Sequence, residues 1–142
     1  MCGIVGFINA QNKINLKYII HRGPDCNDEY IDSNIQLGHS RLSIQDISMA
    51  ANQPFYSDDG RYILVFNGEI YNHFEIRKDL ISRGCIFKTT SDTETVLYSL
   101  IYDSVNAINK FNGIFAFALY DRQTQETLIA RDRFGVKPLY YS

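Results

Sequence analysis

The chain has 142 residues, 45% of them hydrophobic and 21% charged, with a net charge of −2. That length suits one domain burying about two-thirds of the surface its unfolded chain exposes, and the mixed charge offers no basic stripe for nucleic acid. No apolar run approaches the ~20 residues of a membrane-spanning helix, and the N-terminus lacks the basic region and long apolar core of a signal peptide. The expectation is therefore a cytoplasmic protein with neither nucleic acid nor membrane as partner.

Cys2 stands ahead of Gly3–Ile8, a short apolar run that predicts a buried strand. Residues 9–12 break it, and residues 14–20 have room for one or two helical turns. His21-Arg22-Gly23-Pro24-Asp25 is loop punctuation. Residues 29–44 alternate loosely and predict two strands joined at Asp32-Ser33-Asn34, the second carrying Arg41, an arginine that by itself reads as a solvated or salt-bridged edge residue. A loop follows over 46–60, ending in the turn Ser57-Asp58-Asp59-Gly60.

Residues 62–66 form the clearest strand of this half, and it runs into Asn67-Gly68, a strong hairpin signal. A helix is predicted almost at once over 73–83, with Phe74, Ile76, Leu80 and Ile81 on its apolar face and Gly84 as its stop. Strand, glycine turn, helix is thus the rival to a hairpin. A short strand is expected over 85–87. Ser91-Asp92-Thr93-Glu94 then reads as a capping box opening a helix through Tyr102, with Glu94 reaching back to the cap. Another helical turn or two is expected over 105–111, then two strands over 113–120 and 127–131, the first apolar on both faces and so buried between layers, and a charged turn. A last strand begins at residues 139–141.

The three cysteines, Cys2, Cys26 and Cys85, are an odd number without paired spacing, which points to thiols in a reducing compartment. No C-x-x-C or H-x-x-x-H spacing with His21, His39 or His73 suggests a metal site, so none is expected. Cys2 has two readings. It is a small hydrophobe entering a strand, or, once Met1 is trimmed, it carries a thiol and a free α-amine on one residue. An α-amine titrates near pH 7.7–8.0 (about) and can take the thiol's proton at cellular pH, so such a residue carries its own base.

Several stretches decide between these readings when taken together. Met1-Cys2-Gly3-Ile4, Arg22-Gly23-Pro24-Asp25, Leu37-Gly38-His39-Ser40-Arg41-Leu42-Ser43-Ile44, Asn67-Gly68-Glu69-Ile70-Tyr71-Asn72, Ser91-Asp92-Thr93-Glu94, Phe115-Ala116-Phe117-Ala118 and Arg131-Asp132-Arg133-Phe134-Gly135-Val136-Lys137-Pro138 occur in this order. The ordered set resembles the glutamine-hydrolysing domain of class II (N-terminal nucleophile) amidotransferases, of asparagine synthetase type. The resemblance implies an α+β fold, a four-layer αββα sandwich of N-terminal nucleophile hydrolase type. The expectation is of a C-terminally truncated form, residues 1–142 being an incomplete glutaminase domain without a synthetase domain.

The site it implies is specific. Cys2 is the nucleophile, while the Asn67 side-chain amide and the Gly68 N–H are the oxyanion donors. Arg41 resembles the fork for the glutamine α-carboxylate, a geometry lysine does not reproduce, and Asp92 resembles the acceptor for the α-ammonium. Glu69 and the backbone of Leu42, Ser43, Ile44 and Gln45 line the same pocket. No histidine is required, so His21, His39 and His73 are expected to be structural, as is the turn at Arg131-Asp132-Arg133. The implied partners are glutamine and an ammonia-accepting synthetase domain or subunit, with a homodimer compatible. No cofactor is expected in this domain, because ATP and magnesium belong to the absent synthetase domain. Two departures, the short segment 14–20 and the early end of the chain, keep a second reading in play: a catalytically silent glutamine-binding or interaction module, its thiol blocked by a retained Met1.

Overall fold

The computed structural model describes residues 2–9 and 13–142. Most of the break expected at 9–12, and the state of Met1, lie outside the described residues. Among the described residues, seven strands and two α-helices form two antiparallel sheets with helices on one outer face.

The first sheet has β1 (Gly3–Ile8), β2 (Cys26–Ile31) and β3 (Ile35–Arg41), with β3 in the middle. The predicted turn at 32–34 is there, its Asp32 carboxylate accepting from the N–H groups of Asn34 (2.7 Å) and Ile35 (2.9 Å). β1 is an edge strand rather than the buried one expected, since of its residues only Gly3 is fully covered. Its register sets Gly3 opposite Ser40, so Cys2 falls beside Arg41.

The second sheet runs β4 (Phe55–Tyr56), β5 (Tyr62–Ile70), β6 (Gly113–Asp121), β7 (Glu126–Arg131). Side chains alternate across β5 and β6. Leu64, Phe66, Ile70, Phe115, Phe117 and Leu119 face the helices, in a core with Val96, Leu97 and Leu100. Ile63, Val65, Ala118 and Tyr120 face the first sheet and meet Ile35 and Leu37. Each fully buried side chain of this size contributes roughly 1.5–3 kcal/mol, so the central pair β5–β6 is the rigid spine of the molecule.

β5 corrects the prediction most. Asn67-Gly68 is neither a hairpin nor a turn; the strand continues through both residues to Ile70, with Gly68 opposite Phe115. Glycine is needed there because a Cβ would lie 2.2 Å from the Ile114 carbonyl oxygen and 2.6 Å from the Phe115 Cα.

Helix α1 (His73–Ser82) stops before Gly84, at φ +93°, as expected. It buries Ile76 and Leu80, but Phe74 and Ile81 are exposed, because only one narrow stripe meets the sheet. Residues 85–87 form no strand. Helix α2 (Asp92–Asp103) is capped by the Ser91 hydroxyl, which accepts from the Thr93 N–H at 3.1 Å. The second half of the expected box is absent: the Glu94 carboxylate accepts instead from the N–H groups of Lys88 (2.9 Å) and Thr89 (2.8 Å) and from the Thr89 hydroxyl (2.7 Å). Buried Glu94 therefore ties down the loop before the helix. A 3₁₀ segment, Ser104–Lys110, follows.

The outer face of the first sheet is covered by 3₁₀ turns, Leu16–Tyr18 and Ile20–Arg22, in place of the expected helical turns. Ile14 and Leu16 pack over Gly38, whose small size admits them. Leu139, Tyr140 and Tyr141 line a cleft between β1 of the first sheet and β6–β7 of the second without joining a ladder.

Candidate active site

Six separate stretches converge on one cavity: Cys2, the end of β3 with the loop after it, the end of β5, the first turn of α2, the start of β6 at Ile114, and the turn that carries Lys137. Of the residues singled out from sequence, Cys2, Arg41, Leu42, Ile44, Gln45, Asn67, Gly68, Glu69 and Asp92 line it. Ser43 does not, and its N–H is already engaged by the Asp25 carboxylate at 2.7 Å. The contact explains the Arg22-Gly23-Pro24-Asp25 stretch. Gly23 packs where a Cβ would come within 2.3 Å of the Arg41 carbonyl carbon, and Asp25 donates its N–H to the Arg41 carbonyl at 3.0 Å.

The Cys2 thiol lies against the backbone of Leu42, accepting from its N–H at 3.4 Å. Arg41, 6% exposed, is no edge residue. Its Nη1 donates to the Ser48 carbonyl (2.9 Å) and the Asn52 side chain (2.6 Å), and its Nη2 donates to the Asp46 carbonyl. Those three bonds leave two of the five guanidinium N–H groups, the Nε–H and one on Nη2. The arginine thus shapes loop 42–52. Two further contacts fasten that loop across the cavity: Gln45 Nε2 donates to Glu69 Oε1 at 3.1 Å, and Asp46 accepts from the Thr90 N–H at 2.9 Å.

The placing of Asp92 depends on Arg77. Its guanidinium donates to the carbonyls of Thr89 (2.5 Å) and Ser91 (2.6 Å) and to the Thr95 hydroxyl (3.0 Å), and stacks on Phe87 at 4.2 Å. The start of α2 is held against β5, where Asp92 Oδ2 accepts from the Ile70 N–H at 3.0 Å.

A family model described as a glutamine amidotransferase domain matches residues 1–142. The chain belongs to that family. Among curated relatives, it is 39% identical to asparagine synthetase [glutamine-hydrolyzing] 1 of Bacillus subtilis, over all of this chain and 24% of that protein. It is 42% identical to asparagine synthetase B [glutamine-hydrolyzing] of Escherichia coli, over 84% of this chain and 21% of that one. The chain thus spans about a quarter of the length of these relatives. Among solved structures, glutamine phosphoribosylpyrophosphate amidotransferase from B. subtilis superposes with a TM-score of 0.58 at 25% identity, covering 72% of this chain and 24% of that one. The α+β sandwich is accordingly of the N-terminal nucleophile amidotransferase type.

The electrostatics of this amidotransferase domain are uneven. Burial pushes the Asp92 carboxyl up from 3.8 to about 6, with the nearby Glu69 charge adding to it and the N–H groups of Ile70 and Thr93 opposing it. His39 is fully buried between the sheets, its Nε2 3.2 Å from the Phe66 carbonyl, and burial with the Arg41 charge lowers it to about 4. A ring nitrogen facing a carbonyl must carry the proton, burial disfavours a second proton on Nδ1, and the bond couples β3 to the residue preceding Asn67. Lys137, 3% exposed, lines the same cavity, as do Gln53 and Thr93. These three were not singled out from sequence. Thr93 and Lys137 had a signal, their places inside two of the matching stretches, and Gln53 had none.

Proposed function

We propose that this domain hydrolyses glutamine to glutamate and ammonia with Cys2 as nucleophile. The observation that carries the reading is the convergence of Cys2, Arg41, Asn67, Gly68 and Asp92, from distant parts of the sequence, on one cavity of a glutamine amidotransferase fold.

With Met1 removed, the Cys2 thiol gives its proton to its own α-amine, and the sulfur attacks the γ-carbonyl carbon of glutamine. The electron pair of the C=O bond moves to oxygen, where the Asn67 amide and the Gly68 N–H donate to it; each such donor is worth about 100- to 1000-fold in rate. The carbon–nitrogen bond then breaks. Ammonia leaves with the proton held by the amine, and a γ-glutamyl thioester remains. Water, deprotonated by the same amine, attacks the thioester and releases glutamate and the thiol.

The remaining polar groups suit the two charges at the other end of the substrate. The free edge of Arg41 receives the α-carboxylate, and Asp92 with Glu69 receives the α-ammonium. An amide lacking either charge leaves a buried partner unpaired, which is how such a site rejects it. Ammonia passes to a synthetase-type acceptor, a proposal supported by the asparagine synthetase names of the relatives.

Intact-mass analysis of the N-terminus combined with a glutamine-dependent ammonia assay tests the reading. Chains beginning at Cys2 release ammonia and Cys2→Ala does not. A retained Met1 with no ammonia release would instead leave a silent glutamine-binding module.

A further inference from the structure

Lysine is almost never fully buried unless its charge is held, and Lys137, 3% exposed, shares the cavity wall with Cys2, Asn67, Gly68 and Glu69. The turn that brings it there is built around one carboxylate. Asp132, 4% exposed, accepts from the N–H groups of Phe115 (3.2 Å), Phe134 (3.2 Å), Val136 (2.9 Å) and Lys137 (2.9 Å). Its own N–H donates to the Phe115 carbonyl at 2.8 Å. Phe115 is the β6 residue opposite Gly68. The turn is therefore fastened to the strand pair that carries Asn67 and Gly68, and Lys137 keeps a fixed position relative to them.

The charges around Lys137 fall into two groups. Burial and the Arg22 guanidinium oppose its ammonium form and lower its pKa, while Cys2 in its thiolate form, Asp132 and Glu69 favour that form. Lys137 is thus a cation on the same cavity wall as Cys2, in a cavity that Arg41, Glu69 and Asp92 also line. A cation held beside a nucleophile in a low-dielectric site favours an anion forming there, here a thiolate and then an oxyanion.

We propose that Lys137, positioned by Asp132, supplies the fixed positive charge that raises the nucleophilic reactivity of Cys2 and stabilises the negative charge of the acylation step. The proposal rests on the glutaminase reading above but makes a claim that is separable from it.

The test uses the full chain with Lys137→Met, Lys137→Gln and Lys137→Arg. Iodoacetamide alkylation of Cys2 is followed by mass on the N-terminal peptide between pH 6 and 9, alongside kcat and KM for glutamine and a thermal melt. Loss of one nearby charge shifts a titration by a unit or more. Lys137→Met and Lys137→Gln are therefore expected to slow Cys2 alkylation at pH 7 about tenfold, to move its pH profile toward alkaline pH and to lower kcat by a similar factor, with KM nearly unchanged. Lys137→Arg retains the wild-type alkylation rate. An unchanged alkylation profile in a folded Met or Gln variant overturns the proposal. So does a rise in KM alone, which would make Lys137 a reader of the substrate carboxylate. If neither uncharged variant folds, the Arg variant still decides, because a tenfold loss of alkylation with the charge retained also overturns it. Alkylation needs no glutamine, so a wild-type chain that releases no ammonia defeats the glutaminase reading while leaving this result interpretable.

Discussion

Replacing Asp92 by asparagine should make the free protein more stable and its substrate binding much worse. The folded carboxyl titrates at about 6 against an ordinary 3.8, mainly because it is buried. At about 1.36 kcal/mol per unit, that difference of about two units corresponds to about 3 kcal/mol. The sign follows from proton counting. Between pH 3.8 and 6 the folded state holds a proton that the unfolded chain has already released, so stability falls as pH rises through that window and stays low above it. Asparagine cannot ionise and can still accept the Ile70 N–H through its oxygen. Asp92→Asn is therefore expected to gain about 1–3 kcal/mol at pH 8 and nothing at pH 3.5. Urea unfolding at the two pH values measures this directly. In the same variant the α-ammonium of glutamine loses its counter-charge, a loss of about 2–5 kcal/mol for a buried charge pair, or at least about thirtyfold in KM. Asp92→Asn being equally destabilised at both pH values would show that Asp92 is only a helix-start residue, and an unchanged KM would remove it from the ammonium site.

Other outcomes follow from the same geometry. Asn67→Ala should lower kcat about 100- to 1000-fold with little change in KM, read from steady-state ammonia release; a change confined to KM would contradict the oxyanion role. Arg41→Lys should raise the glutamine KM by about tenfold or more, since a lysine can supply neither the side-on fork nor the three bonds to loop 46–52. An unaltered KM takes Arg41 out of the carboxylate site. Gly68→Ala should cost about 1–3 kcal/mol or more in a urea melt, because the new methyl meets the Ile114 carbonyl at 2.2 Å; a neutral result would mean that β5 and β6 separate there. In Cys2→Ala, glutamine binding measured by calorimetry should weaken about tenfold per unit below pH 6 as Asp92 takes up a proton. Binding that holds steady to pH 4.5 would refute this.

Elements set by local pattern were legible in the sequence: both helices, the pair β6–β7, the turn at residues 32–34 and the glycine stop after α1. What failed was set by distant partners. Asn67-Gly68 carries a strong local turn signal, yet nine residues of pairing with β6 hold it straight, and nothing near it in sequence announces Ile114. Residues 85–87 and 139–141 have strand composition but no neighbouring strand to pair with among the described residues. Arg41 read alone looks solvated and is buried, because its acceptors lie on a loop five to eleven residues onward. Glu94 had the right spacing for a capping box but found stronger company in the N–H groups of Lys88 and Thr89. The candidate site was legible almost entirely through the ordered set of short matching stretches. Lys137 lay inside one of them and escaped notice because a lone lysine in a charged turn is ordinarily solvated, and only the buried Asp132 turn shows otherwise.

The most direct test of the central claim is to trap the intermediate. The chain is mixed with glutamine, quenched in acid during turnover, and the N-terminal peptide is analysed by mass. The account predicts a peptide that begins at Cys2 and carries a γ-glutamyl group, removed by hydroxylamine and missing from Cys2→Ala. Steady ammonia release with no adduct on that peptide, and undiminished in Cys2→Ala, would contradict it.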